Sequence, residues 1–361
     1  MTNIPGLPST ILLSMSYFRP NIDAMEGYTP GEQPKGDEFI KLNTNENPYP
    51  PSMKVYDAIR EEVNASLRKY PDPVCQGVRE KAGEVYGFAA EQIIVGNGSD
   101  DLLTMICRAF CSERELIVQP YPTYSLYETL AQIQNAEFRS VPFADFNHLP
   151  EGLAVPGAKV TFVANPNSPT GTVVSLEELD EFAGRIEGVL VVDEAYVDFG
   201  EWDSLPLIQE HDNVIILRTF SKSFSLAALR VGLGFANPEL IQGLMKVKDS
   251  YNVNRISQSA ALAALEDTEY TEAMIGRVRS TRARLVDALS ALGLHVYSSH
   301  SNFLWVRCSE PSAKSVYEDL KSRKILVRFF NHSGLDDCIR ITVGTDDQTD
   351  TLIKELKNLM G

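Results

Sequence analysis

The amino-acid sequence predicts an α/β protein, in which a mostly parallel sheet flanked by helices is followed by a smaller α+β unit. Three observations support this fold class. Short apolar runs alternate with amphipathic segments between about residues 55 and 250, and a second set of strand and helix patterns follows. The chain has 361 residues, which is too many for one simple hydrophobic core but enough for two packed units.

Seven short apolar runs in the first part of the chain are predicted strands. In chain order they are EQIIVGN, ELIVQP, AEFRSVPF, KVTFVANP, VLVVDEAY, NVIILRTF and VGLGFA. Helix patterns lie between several of them. DLLTMICRAF places Leu102, Leu103, Ile106 and Phe110 along one face. Ser175 and Glu178 have the spacing of a capping box. This alternation implies a sheet covered on both sides, where ligands collect at the carboxyl ends of the strands.

A long helical stretch from about residue 255 to 290 leads into the second unit. Its predicted strands are LHVYSS, NFLWVRC, ILVRFF and CIRITVG, and its helices are SAKSVYEDLKS and DQTDTLIKELKNLM. We therefore expect an N-terminal arm over residues 1–40, a large domain over 41–255 and a small C-terminal domain over 256–361. Residues 41–60 are a candidate for packing with the small domain instead.

Composition excludes several classes of protein. Apolar residues make up 43% and charged residues 23%, which is close to soluble globular averages, and the longest apolar runs, such as VLVV, are too short to span a bilayer. A net charge of −16 argues against nonspecific nucleic-acid binding, although small anionic ligands remain compatible with it. Scattered histidines and the lack of HExxH and GxxxxGK[ST] motifs predict no metal site and no nucleotide loop.

The expected location is the cytoplasm. The first fifteen residues have no basic region ahead of their short apolar run, so they do not resemble a signal peptide. The five cysteines show no paired spacing, which is typical of free thiols in a reducing compartment.

Polar residues follow several of the predicted strands, at the edge where a ligand is expected. Gly98 and Ser99 follow IIVGN and can present backbone N–H groups at a helix N-terminus, which favours an anion. Asp193 ends VLVV, where a buried carboxylate is costly unless it meets a cation. Lys222 follows VIILR, and Arg230 lies eight residues further on.

Together these residues describe a pocket for pyridoxal 5′-phosphate. The helix terminus, Ser221 and Arg230 would hold the phosphate, Asp193 would face the protonated ring nitrogen, and Lys222 would bond the aldehyde carbon. Neighbouring cations and desolvation would make Lys222 nucleophilic. The alternative is a solvated surface lysine. We favour the cofactor, because polar residues at several strand ends suit different parts of the same molecule.

At this point the chain resembles the fold-type I PLP-dependent aminotransferases. The motifs are NPNSPTG (165–171), DEAY (193–196) and the lysine and arginine of SKSFSLAALR (221–230). LNTNENPYPPS, KYPDP and the terminal RITVG narrow the resemblance to the histidinol-phosphate aminotransferase family, and it covers almost everything from Tyr28 to Met360.

The resemblance implies a role for each matching residue. Lys222 would be the Schiff-base lysine, Asp193 the partner of the ring nitrogen, and Tyr196 a hydrogen-bond partner of the ring's phenolic oxygen. Tyr124 would lie against the ring face, unless it is an ordinary core aromatic. The phosphate would be surrounded by Ser99, Asp100, Ser221 and Arg230, with Tyr70 reaching over from a second subunit of a homodimer.

One motif departs from the family pattern. The residue before PTG is usually asparagine, which reaches the phenolic oxygen, whereas this chain has Ser168 there. Either Ser168 makes the contact or its neighbour Asn167 takes it over, and we favour Asn167. A second departure is Ser225, where glycine is common.

Arg340 in CIRITVG matches the arginine that binds the substrate carboxylate in the family. Arg328 and Tyr28 are candidates for the far end of the substrate. The resemblance implies transfer of the amino group of L-histidinol phosphate to 2-oxoglutarate, giving imidazole acetol phosphate and L-glutamate in histidine biosynthesis. Two alternatives are an aromatic amino-acid aminotransferase and a PLP-dependent decarboxylase of a phosphorylated amino acid such as threonine phosphate.

Overall fold

The computed structural model describes residues 16–27, 31–34 and 38–360. Tyr28, predicted to contact the substrate, lies outside the described residues. No helix within these ranges is long and apolar enough to cross a membrane.

The centre of the larger unit is a seven-stranded sheet. Its strands are β2 (Ile93–Gly96), β3 (Leu116–Tyr121), β4 (Glu137–Pro142), β5 (Ala158–Ala164), β6 (Val189–Asp193), β7 (Val214–Thr219) and β8 (Gly232–Ala236), after a short β1 (Ile40–Lys41) elsewhere. They are ordered β2-β8-β7-β6-β5-β3-β4. The pairs from β4 to β7 are parallel, whereas β8 runs antiparallel to both of its neighbours. All seven predicted strands and the mostly parallel sheet are confirmed.

Helices cover both faces of this sheet. The helices that precede the smaller unit in the chain are α1 (Pro20–Ala24), α2 (Met53–Glu62), α3 (Gln76–Tyr86), α4 (Ser99–Phe110), α5 (Leu126–Gln134), α6 (Leu176–Arg185), α7 (Leu207–Glu210), α8 (Pro238–Val247) and α9 (Arg255–Leu265). Two separate apolar clusters, one on each side, enclose the central strands. Every residue of β6 and β7 is buried, which explains their continuous apolar sequences.

Local sequence signals set the ends of these helices. Leu102, Leu103 and Ile106 are fully buried on α4, as their spacing predicts. At the start of α6 the Ser175 hydroxyl accepts from the backbone N–H of Glu178 at 3.2 Å, so the predicted cap forms. The Glu178 carboxylate instead accepts from the backbone N–H of Leu149 at 2.7 Å.

The smaller unit contains a four-stranded sheet with three helices. Its elements are α10 (Thr268–Ala291), β9 (His295–Val296), β10 (Phe303–Arg307), α11 (Ala313–Ser322), β11 (Ile325–Leu326), β12 (Arg328–Phe329), β13 (Cys338–Thr342) and α12 (Asp346–Met360). The sheet order is β12-β13-β10-β9. The predicted strand ILVRFF is divided, because β11 pairs with β1 while β12 pairs with β13.

The segment between the arm and α2 joins the two units. Leu42 belongs to the apolar cluster of the smaller unit, and β1 pairs in parallel with β11. Helix α9, in contrast, contributes Ala260, Ala261 and Leu265 to a cluster of the large sheet. The predicted domain limits stay predictions, and we propose moving the start of the small domain past α9 on these packing grounds.

Candidate active site

A cavity of about 1090 Å³ opens at the carboxyl ends of the parallel strands, between the large sheet and the smaller unit. Its wall includes most of the predicted site residues, namely Ser99, Asp100, Tyr124, Asp193, Tyr196, Ser221, Lys222, Arg230, Arg328 and Arg340. The topology therefore brings together side chains that are up to 241 positions apart in the sequence, from Ser99 to Arg340.

Lys222 lies in the turn that follows β7 and is partly buried. Its Nζ donates to the carbonyl of Thr44 at 3.4 Å and lies 5.5 Å from the centre of the Tyr196 ring. The Asn47 side chain holds the turn from the other side, since its Nδ2 donates to the carbonyls of Lys222 and Ser223 at 3.0 and 3.1 Å. Asn47 thus fixes the backbone of Lys222, and the Lys222 side chain lines the cavity.

Asp193 ends β6 and is buried in the cavity wall. The hydroxyl of Tyr127 donates to its Oδ2 at 2.8 Å, and the backbone N–H of Ala195 donates to Oδ1 at 3.2 Å. Burial raises the pKa of Asp193 to about 6, against the lowering effect of the Tyr127 hydrogen bond. A positively charged group bound opposite Asp193 would stabilise the ionised carboxylate and be stabilised by it.

The part of the cavity wall that contains Ser99 and Arg230 is suited to an anion. The N-terminus of the twelve-residue helix α4 opens here at Ser99. Arg230 donates from Nη1 to the Ser221 hydroxyl at 3.3 Å and from Nη2 to Asp100 Oδ2 at 3.2 Å. Gly98 has φ of +86°, and a Cβ there would lie 2.5 Å from Nη2 of Arg230. Only glycine therefore lets the loop approach the guanidinium so closely.

Tyr124 and Tyr196 provide the aromatic surfaces. The Tyr124 hydroxyl donates to Asp100 Oδ1 at 3.3 Å, and its ring meets Tyr127 edge-on with centroids 5.5 Å apart. The Tyr196 hydroxyl accepts from Asn45 Nδ2 at 3.0 Å. Both rings line the cavity, so a flat heterocycle bound there can pack against an aromatic side chain.

The preference for Asn167 as the residue facing the ring oxygen stays a prediction, and the geometry favours Ser168 in that place. The Asn167 amide donates to the Pro122 carbonyl at 3.0 Å and to Thr170 Oγ1 at 2.9 Å, and it accepts from Thr123 Oγ1 at 2.8 Å. These contacts hold the Asn167 amide against Pro122, Thr123 and Thr170, whereas Ser168 lines the cavity. We therefore propose that the Ser168 side chain is the one that faces a ligand.

Two arginines from neighbouring strands line the cavity on the side of the smaller unit. Arg340 donates from Nη1 to the Ser168 hydroxyl at 3.0 Å and from Nη2 to the Asn43 carbonyl at 3.1 Å. Arg328 is directly opposite Arg340 in the pairing of β12 with β13. Both guanidinium groups lie against the Phe330 ring, at 5.2 Å for Arg328 and 5.5 Å for Arg340. Two cations on one face can receive two anionic groups.

Tyr70 does not line the cavity of its own chain. Its side chain is 76% exposed and stacks on Tyr251, with ring centroids 4.4 Å apart.

Sequence reasoning missed three residues that support the site. Tyr127 lies three positions after Tyr124 in PTYSLY, and its spacing on α5 was the available signal. Asn45 and Asn47 belong to the NEN stretch. This stretch supports the family resemblance, but by itself it indicates no role for either side-chain amide.

The residues present fit pyridoxal 5′-phosphate. The helix terminus, Ser221 and Arg230 suit a phosphate, the buried Asp193 suits a pyridinium nitrogen, and Lys222 suits an aldehyde. Fold and site therefore define an aminotransferase-type enzyme, and the comparisons agree. The profile of the aminotransferase class I and II family matches residues 37–356, so the chain belongs to that class.

Closer relatives narrow this class. A histidinol-phosphate aminotransferase 1 from Trichormus variabilis is 47% identical over 348 residues, which cover 96% of this chain and 99% of the relative. A histidinol-phosphate aminotransferase from Geotalea daltonii is 43% identical over 95% of the chain and 99% of the relative. The chain is a member of the histidinol-phosphate aminotransferase family.

A solved structure agrees with this membership. The crystal structure of histidinol-phosphate aminotransferase from Sinorhizobium meliloti, in complex with pyridoxal-5′-phosphate, superposes with a TM-score of 0.88 at 26% identity. The superposition covers 96% of this chain and 98% of the other.

Proposed function

We propose that this chain is a PLP-dependent aminotransferase that converts L-histidinol phosphate and 2-oxoglutarate to imidazole acetol phosphate and L-glutamate. The observation that carries the proposal is the meeting of Lys222, the buried Asp193 and the anion-binding end of α4 in one cavity. Similarity to histidinol-phosphate aminotransferases over nearly the whole chain supports the choice of substrate.

When bound, the cofactor supplies an aldehyde carbon for the substrate amine and a ring that delocalises the electron pair left by proton removal. Lys222, released from the aldehyde carbon by the substrate amine, would accept the proton from the carbon that bears the substrate nitrogen and return it to the former aldehyde carbon. Asp193, when ionised, keeps the ring nitrogen positive. Tyr127 limits the rise in the pKa of Asp193 by donating to its carboxylate.

Arg340 and Arg328 would give one pocket for both substrates. L-histidinol phosphate carries a phosphate and has no α-carboxylate, whereas 2-oxoglutarate carries two carboxylates. Planar guanidinium groups bind both kinds of anion in bidentate geometry. Because the two arginines lie opposite each other on β12 and β13, one can bind the anion near the reacting carbon and the other the distal anion.

We also propose a homodimer in which Tyr70 reaches the phosphate end of the partner's site. Support comes from a run of exposed apolar side chains on and after α2, which includes Met53, Val63, Leu67, Tyr70 and the neighbouring Tyr251. Such exposure is typical of a surface covered by another chain. We place the enzyme in the cytoplasm, in keeping with five buried cysteines that are all free thiols.

A half-reaction followed by absorbance tests the substrate. The purified holoenzyme is mixed separately with L-histidinol phosphate, L-phenylalanine and L-threonine phosphate, and conversion of the coloured cofactor form is recorded. We expect L-histidinol phosphate to convert the cofactor with the highest second-order rate constant. A preference for phenylalanine, or release of CO2 from threonine phosphate, would instead establish one of the two alternative activities.

A further inference from the structure

A buried asparagine connects Tyr196 to the sheet of the smaller unit. Asn45 is 1% exposed, and its Nδ2 lies 3.0 Å from the Tyr196 hydroxyl. Its Oδ1 lies 3.0 Å from Oγ1 of Thr342, which is 297 positions away in the sequence. Asn302 Nδ2 donates to the carbonyl of Asn45 at 3.0 Å and holds its backbone in place. Asn45 has φ of +57°, a left-handed conformation that asparagine tolerates.

The hydrogen bonds of Thr342 fix which way the Asn45 amide points. The backbone N–H of Asn45 also lies 3.0 Å from Thr342 Oγ1. Because a backbone N–H can only donate, Thr342 Oγ1 is the acceptor in that bond and keeps its single proton for Asn45 Oδ1. The oxygen of the amide must therefore face Thr342, and the NH₂ group must face Tyr196.

This orientation decides where the Tyr196 proton goes. Since Asn45 donates to the Tyr196 oxygen, the hydroxyl proton of Tyr196 is not used by Asn45 and is available to the cavity. We propose that Asn45, oriented by Thr342, is a positioning residue that directs the Tyr196 hydroxyl proton at the phenolic oxygen of the cofactor. This inference rests on the proposed PLP-dependent function.

The charged groups around Tyr196 come from four parts of the chain. Lys222 lies over its ring, Asp193 precedes it at the end of β6, and Arg340 and Glu46 line the same cavity. A substitution at Thr342 leaves all four charges in place. A change in titration after that substitution therefore reports on the hydrogen-bond chain rather than on a lost charge.

The experiment follows the visible absorbance of the holoenzyme against pH and measures the pH at which the cofactor–Lys222 linkage loses its proton. A hydrogen bond donated to the phenolic oxygen stabilises its negative charge and lowers this midpoint. We expect Thr342→Val to raise the midpoint by about one pH unit, which is the scale of one hydrogen bond to a charged group. Tyr196→Phe should raise it by at least as much, and the double variant should add nothing further. Thr342→Ser, which keeps the hydroxyl, should retain the original midpoint.

A second pair of variants makes the test independent of Thr342. In Asn45→Asp the side chain can only accept, so it would take the Tyr196 proton away from the cavity, and its charge would also raise the midpoint. Comparing Asn45→Asp in the native and Tyr196→Phe backgrounds removes the charge effect, and we expect the larger shift in the native background.

Equal shifts of Asn45→Asp in the two backgrounds would overturn the inference. So would a Thr342→Val enzyme whose midpoint is unchanged while Tyr196→Phe is shifted, or a Thr342→Ser enzyme shifted as far as Thr342→Val. Failure of the proposed function is a separate result, because the unsubstituted enzyme would then hold no coloured cofactor on Lys222.

Discussion

Lys222 has the most specific role at the scale of single residues, because it would both bind the cofactor and move the proton. Replacing it with alanine should abolish turnover and the visible absorbance of covalently held cofactor. Borohydride reduction of the native holoenzyme followed by peptide mapping should place the modification on Lys222. Lys81→Ala is the control, since that partly exposed helix lysine lies outside the cavity and pairs with Glu84 at 2.9 Å. A Lys222→Ala enzyme that keeps both properties would refute the assignment.

Asp193 gives a second residue-scale prediction, on stability and pH. Burial raises the pKa of this carboxyl from 3.8 to about 6, so ionisation is less favourable in the folded protein than in the unfolded chain. The destabilisation is absent below the unfolded pKa and complete above the folded one. Asp193→Asn should therefore raise the unfolding free energy of the cofactor-free protein by about 2–3 kcal/mol near pH 8 and change it little near pH 3.

Cofactor binding should reverse this difference, because a pyridinium nitrogen offsets the cost of the buried charge. The measurement is denaturant unfolding of Asp193→Asn and the unsubstituted protein, each with and without cofactor, at the two pH values. A gain in stability that is the same at both pH values would show that ionisation of the Asp193 carboxyl does not destabilise the folded protein.

At the scale of elements, strand ends and helix starts hold the site together. Arg218 of β7 forms an ion pair at 3.0 Å with Glu194, which follows β6. Both side chains are almost fully buried, and burial raises the pKa of Glu194 to about 7 against the lowering effect of Arg218. The pair therefore ties together the two strand ends that present Asp193 and Lys222.

The loop before α4 gives a prediction at this scale. Gly98→Ala would place a Cβ 2.5 Å from the Arg230 guanidinium and displace it from the anion-binding end. We expect cofactor affinity to fall about tenfold or more, which is the scale of one lost charged hydrogen bond. Equilibrium binding of the cofactor to the apoprotein measures the effect.

Gly87→Ala is the matched control for this loop. Gly87 has φ of +80°, close to that of Gly98, but a Cβ there would meet nothing within 4 Å. Gly87→Ala should cost about 1–2 kcal/mol of left-handed strain. Gly98→Ala should cost more, because Gly98 has ψ of 163° and Gly87 has ψ of 32°. Equal losses of cofactor affinity would mean that strain, rather than the displacement of Arg230, is responsible.

At the scale of the whole molecule, the proposed homodimer predicts complementation between two inactive variants. If Tyr70 acts in the partner's site, a hybrid of Tyr70→Ala and Lys222→Ala subunits contains one site with both native residues. Random mixing should then recover about a quarter of the native activity, because half of the dimers are hybrids with one intact site. Steady-state assays after refolding the mixed chains measure this recovery. No gain over the separate variants would contradict a site shared between two subunits.

Most of the large sheet and its catalytic edge could be predicted from sequence, because strand and helix periodicity are local properties of the chain. Asp193 and Lys222 were predictable for the same reason, since they lie at and just after the ends of recognisable strands. Arg230 was predictable from its spacing to Lys222. The division of ILVRFF was not predictable, because it depends on β1 and β13, which approach from distant parts of the chain. The position of the Asn167 amide was not predictable either, because it depends on contacts with Pro122 and Thr123, which lie 45 and 44 positions earlier in the chain.

The sequence by itself determined the fold class, the order of the strands along the chain and the chemical nature of the site. Only the tertiary structure decided how the supporting side chains meet, as when Tyr127 reaches Asp193 and Thr342 orients Asn45 beneath Tyr196. The physical reason is that a hydrogen bond depends on the direction of two side chains within a few tenths of an ångström. Packing of the two units sets that direction, and no spacing along the chain encodes it.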